Sequence, residues 1–361
     1  MLYLNYTVKI LTDLIQGGII MEGMMKCGIY KGIKQVAIEE RPIPQIDEKG
    51  VLVKVLRAGI CGSDTGAYLH GGMYYGVADN AEFGHEMVGK VVEKGSEVEG
   101  IELGDIVFVE PTCAKKAGIY VADMCGGFSE YVNVEDAKLN HNIYVWNKDV
   151  NLDEAVLAEP LAVGTNGVIM QEPGLDEKVV VLGAGTIGLS AAAGLIARGL
   201  KNVAVVDINE TRLEMAKELG AIAINGKDGD LKEQLINVFG AFPGYHPQPD
   251  VDMYVDAAGA PALLSQTFNF AREGSRYVVL SVYGGNLEIN PGMFIRSQAK
   301  IYGSRGYMPK TIVEVMDHIT NKKTPIGLLV TKKYKPSEFV EAMAEAASGR
   351  QVKVIIDYEM E

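Results

Sequence analysis

Four apolar residues, Val179-Val180-Val181-Leu182, run straight into Gly183-Ala184-Gly185-Thr186-Ile187-Gly188. A buried strand that opens on a Gly-x-Gly-x-x-Gly turn reads as the start of a dinucleotide-binding βα unit. The glycines let the backbone approach a pyrophosphate, whose charge meets the positive end of the following helix. Good helix formers fill Leu189 to Arg198, and a second apolar run, Val203 to Val206, ends on Asp207, 19 positions beyond Gly188. That is close to the spacing of about 20 at which an acidic residue accepts bonds from the adenosine ribose hydroxyls. Asp207 would also repel a 2′-phosphate, which favours NAD over NADP, although Arg212 is near enough to soften the preference. Gly183, Gly185, Thr186, Ile187, Gly188, Asp207 and Arg212 are therefore the cofactor-binding candidates. The plain alternative is a structural turn in an α/β domain.

Strand and helix patterns alternate through the same region. Apolar runs at 251–256 and 276–281 are separated by a helical stretch at 263–272, and an amphipathic helix covers 211–219. Such alternation calls for a doubly wound parallel sheet with helices on both faces. Residues 25–150 read differently. They are rich in Val, Ile and Gly, with strand-like runs at 51–58, 86–93 and 105–110 separated by turn signals, the pattern of a mainly β domain. After helices at 311–321 and 336–348, a closing strand at 352–356 is placed to return to that β domain.

The β-rich part carries the metal chemistry. Gly59-Ile60-Cys61-Gly62-Ser63-Asp64 and Gly84-His85-Glu86 gather a thiol, an imidazole and carboxylates in glycine-flanked segments expected to be loops. These are zinc ligand types, and a set short of four Cys and His residues points to a catalytic site. Taken singly, Cys61 is more often a small buried apolar residue and His85-Glu86 a capped turn. A further carboxylate, Glu159, sits in Ala158-Glu159-Pro160-Leu161-Ala162-Val163-Gly164, just before the nucleotide domain.

Together GICGSD, FGHEMVG, AEPLAVG and VVVLGAGTIG, in this order, resemble the zinc-dependent medium-chain dehydrogenases of the alcohol dehydrogenase superfamily. Within them the pattern is most similar to the polyol (sorbitol), threonine and butanediol dehydrogenase branch, and the resemblance runs from about Met25 to Tyr358. It implies an α/β architecture: a GroES-like, mainly β catalytic domain (25–165 and 301–361) around a Rossmann domain (166–300), with residues 1–24 as an N-terminal extension. It implies a homodimer or homotetramer with the active site in the interdomain cleft. Cys61, His85, Glu86 and Glu159 then match zinc ligands, the last two depending on branch. Ser63 matches the hydroxyl that takes the substrate proton, and Asp64 the carboxylate that orients the ligand histidine. The implied reaction is hydride transfer between NAD and a secondary alcohol of a polyol or sugar-like substrate, with threonine or butanediol as alternative substrates. A zinc-free enone reductase using NADPH and a non-catalytic nucleotide-binding paralogue are the other readings, opposed by the filled ligand positions.

The chain departs from the pattern in three places. Only Cys113 and Cys125 stand where relatives hold a structural zinc with four cysteines, so a second zinc is not expected. Position 66, three beyond Ser63, is glycine where several relatives have a histidine that continues the proton relay. Arg305-Gly306-Tyr307 only loosely resembles the Arg-Tyr pair that polyol dehydrogenases set against substrate hydroxyls. Net charge supplies the exclusions. With 34 basic against 47 acidic residues the chain carries −13, which argues against nucleic acid or an anionic membrane as partner. No apolar run suits a membrane span and no basic leader precedes one, so a cytoplasmic location is expected.

Overall fold

The computed structural model of the chain describes residues 22–114, 125–244 and 246–360. Nearly all of the expected N-terminal extension lies outside them. The Val- and Ile-rich runs form β1 (Met24–Gly32) and β2 (Gln35–Pro42), an antiparallel hairpin, and then β3 (Val51–Gly59), the centre of a second sheet. β3 is buried at every position except Lys54. Its near-continuous apolar sequence, where strict alternation would suit a half-exposed strand, follows from cover on both faces. Helix α1 (Gly62–His70) leaves the end of β3, and β4 (Glu86–Lys94) comes back antiparallel to it. β5 (Ile106–Val109) pairs with β4, β6 (Tyr131–Val134) with β3, and β7 (Ile143–Val145) with β5.

The second unit opens with α2 (Ala158–Ile169), followed by β8 (Lys178–Leu182), α3 (Thr186–Ala197), β9 (Asn202–Asp207), α4 (Glu210–Glu218), β10 (Ile222–Asn225) and α5 (Leu231–Phe239). It continues through β11 (Met253–Asp256), α6 (Pro261–Phe270), β12 (Arg276–Val279), α7 (Pro291–Ser297), β13 (Lys300–Gly303) and α8 (Pro309–Thr320). Its six strands are parallel in the order β10-β9-β8-β11-β12-β13. That is the 3-2-1-4-5-6 order of the doubly wound dinucleotide fold, with the switch point between β8 and β11. Charged residues close the N-terminal edge of this sheet: Lys178 and Arg272 both reach Asp250, Arg272 also reaches Asp252, and Arg276 reaches Glu177. The carboxyl edge is thereby left for ligands.

The chain then returns to the first unit through β14 (Val330–Tyr334), α9 (Phe339–Ala347) and β15 (Lys353–Asp357). β15 lies antiparallel on β3, extending the sheet to β14-β15-β3-β4-β5-β7. One unit thus comprises the chain up to Leu152 plus the segment from Lys332, and the other Asp153–Thr331. The boundaries expected from sequence lie at 165 and 300. Helix α2 packs on α3 and α8, and β13 completes the parallel sheet, so both belong to the nucleotide unit. Among the described residues no helix is long and apolar enough to cross a membrane.

Candidate active site

Three antiparallel strands assemble the metal candidates. Residue 59 at the end of β3 faces Glu86 at the start of β4 on one side and Ile355 of β15 on the other. Cys61 follows β3 by two residues, His85 immediately precedes β4, and Lys353 begins β15. The ligand atoms of Cys61, His85 and Glu86 all lie within 4.8 Å of one another, the one such group among the described residues. Two glycines make this possible. A Cβ on Gly59 would overlap the Glu86 carboxylate. Gly84 has φ +89° and its absent Cβ would meet the Phe128 ring at 2.7 Å, so only glycine turns the chain tightly enough to present His85.

The Cys61 segment is not the loop expected from its glycines. Cys61 is the N-cap of α1, and Asp64 in the first turn accepts its backbone N–H at 2.8 Å. An acidic side chain reaching back from the third helical position is the carboxylate half of a capping box. That bond fixes Asp64 in place, with its other oxygen 3.7 Å from His85 Nδ1. This is a charge contact, too long for a hydrogen bond. Burial pushes the Asp64 carboxyl up to about 6, against the opposing pull of His85.

Burial, with the Glu86 charge second, pushes the Cys61 thiol up to about 12, while a hydrogen bond from Ser63 works the other way. A buried thiol beside two carboxylates is a poor anion by itself and a good one next to a dication, since a coordinated thiol gives up its proton outright. The donor set (sulfur, nitrogen and oxygen on three converging segments) fits zinc. Sequence reasoning missed Lys353. Its side chain is 3% exposed, and its ammonium donates to both Glu86 oxygens, at 2.7 and 2.6 Å, and to the Ile60 carbonyl at 3.0 Å. Glu86 is therefore held between the candidate metal position and a buried cation. The available signal was a lysine inside the otherwise apolar closing run at 352–356.

In the second unit the predicted cofactor residues collect at the carboxyl edge of the parallel sheet. Gly183 leaves β8 with φ +98°, Gly185 is the N-cap of α3, and Thr186, Ile187 and Gly188 form its first turn. Asp207 ends β9 and accepts the N–H groups of Ala184 at 2.6 Å, Ile208 at 2.7 Å and Asn209 at 2.9 Å. It therefore fastens the glycine turn to the neighbouring strand, a task beyond the ribose contact expected of it. Arg212 lies in the first turn of α4, capped by Asn209.

Across the switch point, Asp256 at the end of β11 was not singled out from sequence. It is buried, caps the N–H groups of Ala258 and Gly259, and accepts the Tyr283 hydroxyl at 2.6 Å. This holds the 257–259 turn against Gly183, whose Cβ would lie 2.9 Å from Ala258 Cα. Glu159 is buried in the first turn of α2. Arg305 is exposed and Tyr307 half-buried in the segment after β13. That segment is tied to α2 by Met308 N–H and the Thr311 hydroxyl, both donating to Asn166 Oδ1. Cys113 and Cys125 flank the undescribed residues 115–124, so the expectation of no second zinc lies partly outside the described residues.

Comparison with known proteins agrees with this reading of the fold. Residues 47–143 match the family profile described as "Alcohol dehydrogenase GroES-like domain", and residues 186–321 the one described as "Zinc-binding dehydrogenase". The chain is 30% identical to an L-threonine 3-dehydrogenase of Streptomyces avermitilis, covering 88% of this chain and 94% of that protein. It is 28% identical to a sorbitol dehydrogenase of Bacillus subtilis, over 89% of this chain and 93% of the relative. The crystal structure of 2R,3R-butanediol dehydrogenase from Bacillus subtilis superposes with a TM-score of 0.81 at 27% identity, covering 92% of this chain and 99% of that one.

Proposed function

The chain belongs to the zinc-dependent medium-chain dehydrogenases of the alcohol dehydrogenase type, and we propose that it oxidises a secondary alcohol of a polyol or sugar-like substrate with NAD. The observation that carries this reading is the group of half-buried Cys61 with buried His85 and Glu86, its donor atoms within 4.8 Å, at the foot of a helix whose first turn holds Ser63. The family is an oxidoreductase family, and zinc and a nicotinamide dinucleotide are its cofactors.

Cys61, His85 and Glu86 would hold the zinc, with Glu159 as the candidate for the fourth, branch-dependent group. A zinc ion so held acts as a Lewis acid that lowers the pKa of an alcohol oxygen. Ser63 accepts the alcohol proton as general-base relay, and Asp64 keeps His85 oriented through its charge. Gly183, Gly185, Thr186, Ile187 and Gly188 receive the pyrophosphate at the start of α3. Asp207 and Arg212 would bound the adenosine ribose, and a bound nicotinamide would supply the hydride acceptor. Arg305 and Tyr307 are the candidates for contact with substrate hydroxyls.

The polyol assignment rests on the branch. Sorbitol and butanediol dehydrogenases are among the relatives, and a carboxylate-rich metal set suits hydroxylated ligands. We place the enzyme in the cytoplasm as a homodimer or homotetramer, acting on small molecules and without a nucleic acid or membrane partner.

The test is a metal assay coupled to a substrate screen. Purified protein should hold about one zinc per chain. It should reduce NAD with at least one of a panel of hexitols, pentitols, aldoses, inositols, butanediol and threonine. Cys61→Ser should lose both zinc and turnover. Undiminished turnover by metal-free protein would refute the proposal.

A further inference from the structure

A proton that reaches the Ser63 hydroxyl must move on to solvent, and α1 offers it no next group of its own. The position one turn on, on the same helix face, is Gly66, which has no side chain and is buried. The structure fills that place from elsewhere. The ring of Tyr75 lies on Gly66: a Cβ there would come within 2.5 Å of Cε1 and 2.7 Å of the hydroxyl oxygen, and closer still to Cζ. Glycine at 66 is thus required by Tyr75, and the phenol occupies the space that a side chain at 66 would take.

The turn that delivers Tyr75 is well tied. Gly72 accepts the N–H groups of Tyr75 at 2.9 Å and Val77 at 3.0 Å, and any side chain at 72 would strike the Val77 carbonyl. The Tyr30 hydroxyl donates to the Ala67 carbonyl at 3.0 Å, which anchors α1 beneath it. Tyr75 is half-buried, packs against the core of its unit, and stands edge-on to exposed Tyr74 with ring centroids 5.1 Å apart. Among the described residues its hydroxyl has no hydrogen-bond partner.

Side chains at positions i and i+3 of a helix have Cβ atoms roughly 5–6 Å apart. The Tyr75 hydroxyl, 2.7 Å from the Cβ position of residue 66, therefore stands beside the position one helical turn beyond Ser63.

We propose that Tyr75 is the outer member of the proton relay, taking the place that residue 66 leaves empty. The inference rests on the reading of Ser63 under the proposed function. The transfer is a concerted hop: Ser63 Oγ takes the alcohol proton and releases its own to a bridging water. That water passes one proton to Tyr75 Oη, which releases its own to bulk water. One O–H bond breaks and one forms at each oxygen, no group is left charged, and one proton leaves per hydride transferred. Tyr75 acts through Ser63 and touches neither substrate nor cofactor.

Tyr75→Phe tests this because it keeps the ring on Gly66 and deletes only the hydroxyl. With the zinc-loaded enzyme and whichever alcohol it oxidises, kcat should fall about tenfold, since water alone remains as carrier. Zinc content, KM for NAD and thermal midpoint should stay at wild-type values. The solvent deuterium isotope effect on kcat should rise, and added imidazole should restore the rate of Tyr75→Phe while leaving wild type unchanged. Tyr74→Phe should behave as wild type. A Tyr75→Phe enzyme with full kcat, or one slowed but indifferent to imidazole, overturns the relay while the dehydrogenase reading stands. A wild-type protein without zinc-dependent turnover on any alcohol overturns both.

Discussion

Lys353 gives the sharpest quantitative expectation. Replacing it with Met keeps most of the side-chain volume and removes the ammonium from between two Glu86 oxygens and the Ile60 carbonyl. Both partners are almost wholly buried, with side-chain exposures of 3% and 1%, so water cannot take over. Breaking a buried pair from one side costs about 3–5 kcal/mol, because it strands the remaining charge. Glu86→Gln should cost a similar amount by stranding Lys353. The double variant leaves no unpaired charge, so its cost should fall short of the sum by at least about 2 kcal/mol.

The chain has a single tryptophan, Trp146, buried in the same unit. Its fluorescence therefore follows unfolding of that unit in urea. With slopes near 2–3 kcal/mol per molar, each single variant should lower the midpoint by roughly 1–2 M in metal-free protein. Saturating zinc should narrow the gap between Lys353→Met and wild type, because the freed carboxylate gains a cation. A loss below about 1 kcal/mol, or strictly additive single variants, would refute the reasoning.

Two further expectations concern the nucleotide unit. His318 is buried against Thr324, and burial holds its imidazole down at about 4. The folded state therefore favours neutral His318. Its stabilising share is complete above the unfolded value near 6.5, and about 2 kcal/mol of it is lost as pH falls from 7 to 5. Denaturation followed by circular dichroism should show that slope in wild type and lack it in His318→Gln; equal slopes would contradict it. Gly183→Ala forces a side chain onto φ +98° and into the Ala258 backbone. It should cost roughly 1–3 kcal/mol and weaken NAD binding at least tenfold by calorimetry, and near-wild-type affinity would count against Gly183 as part of the pyrophosphate cradle.

The nucleotide unit was readable because its signals are local. The strand-turn-helix around Gly183, the spacing to Asp207 and the alternation of apolar runs each occupy a few dozen contiguous residues. At the borders of that unit long-range packing decides. Helix α2 lies before the fingerprint in sequence but packs on α3 and α8, and β13 lies beyond the expected boundary yet pairs with β12. Neither contact leaves a trace in nearby sequence.

The metal group obeys the same logic in reverse. Cys61, His85 and Glu86 are visible as residue types, but the glycines that flank Cys61 suggest a loop, since glycine depresses helix propensity. The capping bond from Asp64 to the Cys61 N–H offsets that penalty, and Gly66 is present for the sake of Tyr75. Of the two groups that the sequence hid, Tyr75 is brought back onto Gly66 by the turn that follows α1, and Lys353 enters from a distant segment, 267 positions from its partner Glu86. An antiparallel sheet that takes its neighbouring strand from the far end of the chain can surround a local motif with partners that no spacing rule connects to it. Substrate-directing groups in this enzyme are therefore best sought by which segments meet at the ends of β3, β4 and β15, with motif spacing as the lesser guide.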